Sequence, residues 1–224
     1  MENQLRILST KKMLTNQKQY LLNANFSVIE VDFIGVKHKN FNITEVNEFL
    51  IFTSQNAVES VLKNKNSDSI LQKRCFCVGE KTKALLEDNG FVVLVCADYA
   101  AELASIICNK YPKQSFTFFS GNLRKDILPE AMQLAQIDFE EIAVYETIYT
   151  PQEILSKPDG ILFFSPSAVE SYTEINTITN EMCFCVGQTT AETAEKFTEN
   201  IIIANQPSVE NVIIQCINYY SKNT

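Results

Sequence analysis

Residues 49–60, FLIFTSQNAVES, return 111 positions later as GILFFSPSAVES at 160–171. A second echo follows in the same order: CFCVGEKT at 75–82 against CFCVGQTT at 183–190. A fainter third pair sets VVLV at 92–95 and AEL at 101–103 against III at 201–203 and VENV at 209–212. Ordered self-similarity of this kind means that the chain holds two related halves, and any fold must accommodate both.

Each copy is a short apolar run followed by a segment of helical period. This alternation builds parallel strands joined by crossover helices, so both halves are expected to be α/β. Asn56 and Ser167 are candidate N-caps, with Glu59 and Glu170 three residues on, and Thr189 stands similarly to Glu192. Asn89-Gly90 is a stop for the helix that begins after Gly79. Two further strand-helix-strand pieces, 5–34 and 116–145, resemble each other in layout, but one precedes its partner copy and the other follows it. The simplest topology is a second domain, 38–145, inserted into a first domain made of 1–35 plus 148–224. Connectors near 35–37 and 146–149 then join the two. The expected fold is a pair of flavodoxin-like domains, each with five parallel strands, linked by a two-stranded connector.

Ligands of such sheets sit outside the strand C-termini. Those ends carry polar clusters here: Thr53-Ser54, Gly79-Glu80, Ser120-Gly121-Asn122, Ser165-Pro166-Ser167 and Gly187 to Thr190. Helix N-termini offer unpaired amides and a partial positive charge, each contributing roughly 0.3–1 kcal/mol to an anion, so several together hold a polycarboxylate on an acidic protein. For any single Ser or Thr the plainer role is helix capping.

Charge and composition remove other functions. A net charge of −8 disfavours binding to a nucleic-acid backbone, which needs clustered Lys and Arg. His38 is the only histidine, leaving no Ser/His/Asp or Cys/His arrangement and no His-rich metal site. The two CxC pairs, Cys75/Cys77 and Cys183/Cys185, lie on strand-like runs, where alternation sends both members of a pair to one face; burial as small apolar residues is the expected role. Seven cysteines, an odd number, fit reduced thiols better than a disulfide scaffold. No apolar run approaches the roughly 20 residues of a membrane span. The first residues, MENQLRILSTKK, lack the layout of a signal peptide. The expected location is the cytoplasm. Without coiled-coil heptads or an apolar surface stripe, a monomer is expected.

Taken in order, the blocks LIFTS at 50–54 with AVE at 57–59, SGNLRKDILP at 120–129, VYET at 144–147, FFSPS at 163–167 and GQTT at 187–190 resemble the uroporphyrinogen-III synthase family over nearly the whole chain. The resemblance implies a cofactor-free, metal-free enzyme that closes the linear tetrapyrrole hydroxymethylbilane with inversion of its last ring. By that resemblance Tyr145 matches the family's VY tyrosine and assists the departing hydroxyl. Thr53, Ser54, Gly79, Ser120, Gly121, Asn122, Ser165, Ser167, Gly187, Thr189 and Thr190 match blocks that line the substrate cleft, and Tyr99 opens another helix facing it. Arg124 and Lys125, expected one turn into a helix, are further candidates for substrate carboxylates. The chain departs from the family at Gln55, Asn56, Gln188 and the Ser9-Thr10-Lys11 loop. A non-catalytic two-lobed protein closing on a small polyanion is the alternative that the residues leave open. A nucleotide-dependent transferase lacks support, because the chain has neither a P-loop nor a dinucleotide-binding glycine motif.

Overall fold

The computed structural model describes residues 4–43 and 45–222. The first three residues, which bear on the reading of the N-terminus, and the outermost ends of the first domain's range lie outside the described residues. By contacts the chain divides into two compact units, Met1–Gly35 with Ile148–Thr224, and Val36–Thr147.

The first unit opens with β1 (Arg6–Ser9), α1 (Thr15–Asn23) and β2 (Ser27–Glu30), and β3 (Ile34–His38) leads out of it. The second unit runs β4 (Phe49–Phe52), α2 (Gln55–Leu62), β5 (Arg74–Val78), α3 (Glu80–Asp88), β6 (Val92–Ala97), α4 (Ala100–Lys110), β7 (Ser115–Gly121), α5 (Ile127–Leu134) and β8 (Asp138–Tyr149). The chain then returns through β9 (Gly160–Phe163), α6 (Pro166–Thr173), β10 (Met182–Cys185), α7 (Gln188–Ala194), β11 (Ile201–Ile203) and α8 (Val209–Lys222).

The first sheet has the order β11-β10-β9-β1-β2 and is parallel throughout. Read from β2, this is the 2-1-3-4-5 order of flavodoxin-like sheets. In the second sheet, β3-β8-β7-β4-β5-β6, the strands β4 to β8 are parallel. Matching the repeats, β4, β5 and β6 correspond to β9, β10 and β11, and β7 and β8 to β1 and β2. The spatial order is the same; the chain merely enters the second unit at its third strand. The second sheet gains a sixth member where five were expected. Lys39 N–H donates to Val144 O at 2.9 Å and Thr150 N–H to Phe33 O at 3.0 Å, so β3 runs antiparallel to β8. The connector strand thereby satisfies backbone groups along β8 that an open edge would leave bare.

Each sheet is covered on both faces, which is why its strands are continuous apolar runs and not alternating ones. Alternation survives in where the side chains go. Leu50, Phe52, Cys75, Cys77 and Phe119 pack into one core, and Phe49, Ile51, Phe76, Phe116 and Phe118 into another. In the first unit Leu8, Ile161, Phe163, Cys183 and Cys185 oppose Ile7, Leu162 and Phe184 in the same way. Both members of each CxC pair therefore share a face, and burial pushes the Cys75 and Cys185 thiols up to about 12, out of the range of reactive thiolates. All seven cysteines are free thiols. Among the described residues no helix is long and apolar enough to cross a membrane.

Candidate active site

In the second unit the tips of four strands and the loops after them enclose a hollow of about 250 Å³. It is lined by Thr53 and Ser54 beyond β4, Val78 of β5, Ala100 at the start of α4, Leu123 to Lys125 beyond β7, and Tyr145 of β8. Three residues expected at the site, Thr53, Ser54 and Tyr145, thus come together, and Arg124 and Lys125 join them.

Tyr145 is placed by a backbone irregularity. β7 and β8 pair in step as far as Ser120 opposite Ala143; a bulge then sets Gly121 opposite Tyr145. The ring lies across Gly121 so closely that a Cβ there would stand 2.3 Å from Cζ and 2.7 Å from the phenol oxygen. Gly121 serves as the bare surface on which the ring rests, because no residue with a Cβ leaves that space. Packing against Val144, Phe119 and their cluster half-buries the ring.

The loop beyond β7 is fastened to β8. Arg124 Nε and Nη2 donate to the two carboxylate oxygens of Glu141 at 2.6 and 2.8 Å, and Nη1 donates to Asp126 Oδ1. The Arg124 fork holds the Glu141 carboxyl below its ordinary range, with burial opposing. Ser120 Oγ adds a weaker pull without reaching a full hydrogen bond, and it is buried with no partner of its own. Asn122 clamps the same loop, its Nδ2 donating to Thr147 O at 3.2 Å and its Oδ1 accepting from Thr147 N–H at 2.8 Å. Neither Arg124 nor Lys125 lies within a helix, because α5 begins only at Ile127. Bonding to β8 holds this stretch as an irregular loop. Arg124 is consequently spoken for by two carboxylates, and Lys125 is the cation of the hollow with no ion pair among the described residues.

The helix starts in this unit present amides as the sequence led one to expect, but with different caps. Ser54, not Asn56, caps α2, accepting from Asn56 N–H at 3.2 Å. Gly79 caps α3 at φ +85°, a left-handed conformation that favours glycine. Tyr99, 70% exposed, precedes α4 with no capping hydrogen bond from its side chain.

In the first unit, Ser165 caps α6, its Oγ accepting from Ala168 N–H at 3.1 Å and lying 3.1 Å from Ser167 Oγ. Ser165 therefore has the role expected of Ser167. An N-cap needs extended backbone, and in both repeats that belongs to the residue at the strand exit, two positions earlier. Gly187, extended and with open space where a Cβ would stand, caps α7. Thr189 is inside that helix, not its cap; it is exposed, and Thr190 beside it is buried.

One residue escaped the sequence reading. Tyr149, at the end of β8, donates to Glu170 Oε2 of α6 at 2.5 Å, which with burial pushes its phenol up to about 12. It stands four residues beyond Tyr145 in an unbroken strand, and nothing in the spacing marks it.

The uroporphyrinogen-III synthase HemD family model matches residues 17–214. A uroporphyrinogen-III synthase of Saccharomyces cerevisiae is 25% identical over 133 residues, 52% of this chain and 48% of that protein, so the match spans about half the length of this curated relative. The crystal structure of uroporphyrinogen-III synthetase from Helicobacter pylori superposes with a TM-score of 0.74 at 19% identity, covering 96% of this chain and 99% of that one. A mutant uroporphyrinogen III synthase from Thermus thermophilus gives 0.65 at 13% identity over 98% and 100%. At these identities the two structures establish a shared fold.

Proposed function

The chain belongs to the uroporphyrinogen-III synthase family, and we propose that it carries out that reaction, closing hydroxymethylbilane to uroporphyrinogen III with loss of water and inversion of ring D. Loss of the terminal hydroxyl leaves an electrophilic azafulvene. Ring D is attacked at its substituted position, and the resulting spiro intermediate reopens and closes with that ring inverted. The cation closes unaided to the uninverted isomer, so the protein's task is to hold geometry, which is catalysis by orientation.

The observation that carries this reading is the Tyr145 ring laid across Gly121 at the edge of a hollow that also presents Thr53, Ser54 and Lys125. In the proposal the phenol donates a hydrogen bond or proton to the departing hydroxyl; general-acid help of this kind contributes on the order of 10²–10⁴-fold. Substrate carboxylates are held by amides at the starts of α2, α3 and α4, with Lys125 adding one cation. Local donors are needed because the net charge of −8 repels a polyanion at long range. The reading needs no metal or cofactor. In this reading the protein is a cytoplasmic monomer.

The test is to supply the protein with freshly made hydroxymethylbilane, oxidise the products and separate the type I and type III porphyrins. Type III is expected, and type I alone rejects the assignment. Tyr145→Phe then isolates the hydroxyl: turnover as fast as that of the parent removes the phenol from the mechanism.

A further inference from the structure

The second unit has another cavity, of about 390 Å³, lined by the end of β3, the loop beyond it and the last turn of α2 with the loop that follows. Among its lining residues is the chain's single histidine, His38. Lys63 Nζ lies 2.6 Å from His38 Nε2, and His38 Nδ1 lies 2.7 Å from Ser60 Oγ. An ammonium only donates, so Nε2 accepts; the proton is then on Nδ1, which donates to Ser60. Ser60, 2% exposed, donates in turn to Asn56 O at 2.6 Å. All three bonds point one way, from the exposed Lys63 to the main-chain carbonyl of Asn56. Lys63 is thereby aimed, with two further protons free to donate.

The rim is preformed as well. Asn64 Nδ2 donates to Phe41 O at 2.8 Å and its Oδ1 accepts from Asn66 N–H at 3.0 Å, which fixes the loop that carries Lys65. Lys39 lines the same cavity. Among the described residues no carboxylate lines the cavity, although Asp and Glu outnumber Lys and Arg by 27 to 19 in the chain. Among the described residues none of these three ammoniums makes an ion pair. Three exposed cations without ion pairs thus line one hollow, where a multivalent anion can meet more than one of them. Lysine meets phosphoryl oxygens as a compact point charge with three rotatable donors.

We propose that this cavity is a binding site for the phosphoryl group of a small molecule, with Lys39, Lys63 and Lys65 as its charges and the His38–Ser60 pair as the support that aims Lys63. The proposal stands apart from the bilane reaction and survives its failure.

The test uses the full chain, inorganic pyrophosphate and calorimetry. Pyrophosphate is expected to saturate a single site, and Lys63→Gln and Lys65→Gln each to weaken it about tenfold, the loss of one charge-assisted hydrogen bond. Lys196→Gln in the first unit is expected to leave affinity unchanged. With one histidine, ¹⁵N-labelling gives a single pair of ring signals, which are expected to move in step with saturation. ADP binding as tightly as pyrophosphate assigns the site to phosphate esters; pyrophosphate alone binding assigns it to the free anion. Binding that never saturates, ring signals that stay still, or a Lys196→Gln loss as large as the others overturns the proposal. Citrate binding more tightly than pyrophosphate overturns the phosphoryl assignment.

Discussion

The two units share one strand order but not one strand length, and the difference falls at the site. Ile7 pairs with Gly160 in the first unit and Phe116 with Phe49 in the second, so through the repeat Ser9 corresponds to Phe118. β1 ends at Ser9, where Thr10 turns its hydroxyl back to Leu162 O at 2.7 Å. β7 continues three residues further, to Gly121, and β8 runs on beside it to Tyr149. That extra length, with its bulge, is what places an aromatic ring at the second sheet's tip. Both units bring serine hydroxyls and helix amides to their strand tips, and the second adds an aromatic hydroxyl and a cation. Where the chain enters a sheet thus decides which strand can be extended, because the pair that leads out of the second unit is free to run beyond it.

The sharpest way to break this comparison is a methyl group at each unit's tip glycine. Gly121→Ala forces the Tyr145 ring aside and is expected to lower turnover about 10²-fold with KM little changed, since small misplacement of a reacting group is that costly. Gly187→Ala meets nothing within 4 Å and is expected to lower turnover less than threefold, from a slightly poorer helix cap. Steady-state kinetics on both variants checks the pair; equal losses dissolve the asymmetry.

The next contrast is in acid. Glu141, depressed by Arg124, contributes stability that is present above the ordinary carboxylate pKa near 4.5 and is lost as pH falls through its lower folded value. Glu141→Gln is expected to cost about 1–3 kcal/mol at neutral pH, and less at each step as the pH drops below 4.5. Denaturant melts between pH 7 and 3 measure this, and a constant difference refutes the clamp.

Tyr149 reports at the other end of the scale. Its raised phenol contributes stability that is fully present below pH 10 and is lost as the pH climbs toward about 12. Tyr149→Phe is expected to flatten the alkaline limb of a stability profile above pH 10, and an unchanged limb removes the Glu170 bond from the account.

The smallest effects test sameness. Ser54→Ala and Ser165→Ala remove equivalent caps, so each is expected to cost about 1 kcal/mol in unfolding melts. A twofold disparity means that one serine does more than cap its helix.

Much of the architecture was legible because it rests on local pattern. Apolar runs of four or five residues, repeated in order, call for buried parallel strands, and the alternation inside them assigns Cys75 and Cys77 to one core and Phe76 to the other. The caps lie two residues earlier than composition suggests because Ser54 and Asn56 are equally good capping types, and only the backbone at the strand exit separates them. The residues around Arg124 have helical character, but its fork on Glu141, 17 residues away, holds them in a loop. Sequence alone did bring Gly121 and Tyr145 forward as site residues, but nothing in it tied one to the other.

Composition and repeat order by themselves determined that this chain makes two related α/β sheets with polar tips and buried thiols, since burying apolar runs and pairing their backbone leave few other solutions. The tertiary structure decided which side chains meet at each tip. A bulge between Ser120 and Gly121, an arginine held by two carboxylates and a lone histidine strung between Lys63 and Ser60 all depend on residues distant in the chain. Spacing along a sequence records local preference, whereas such meetings are settled only when the packed core fixes the strands in register.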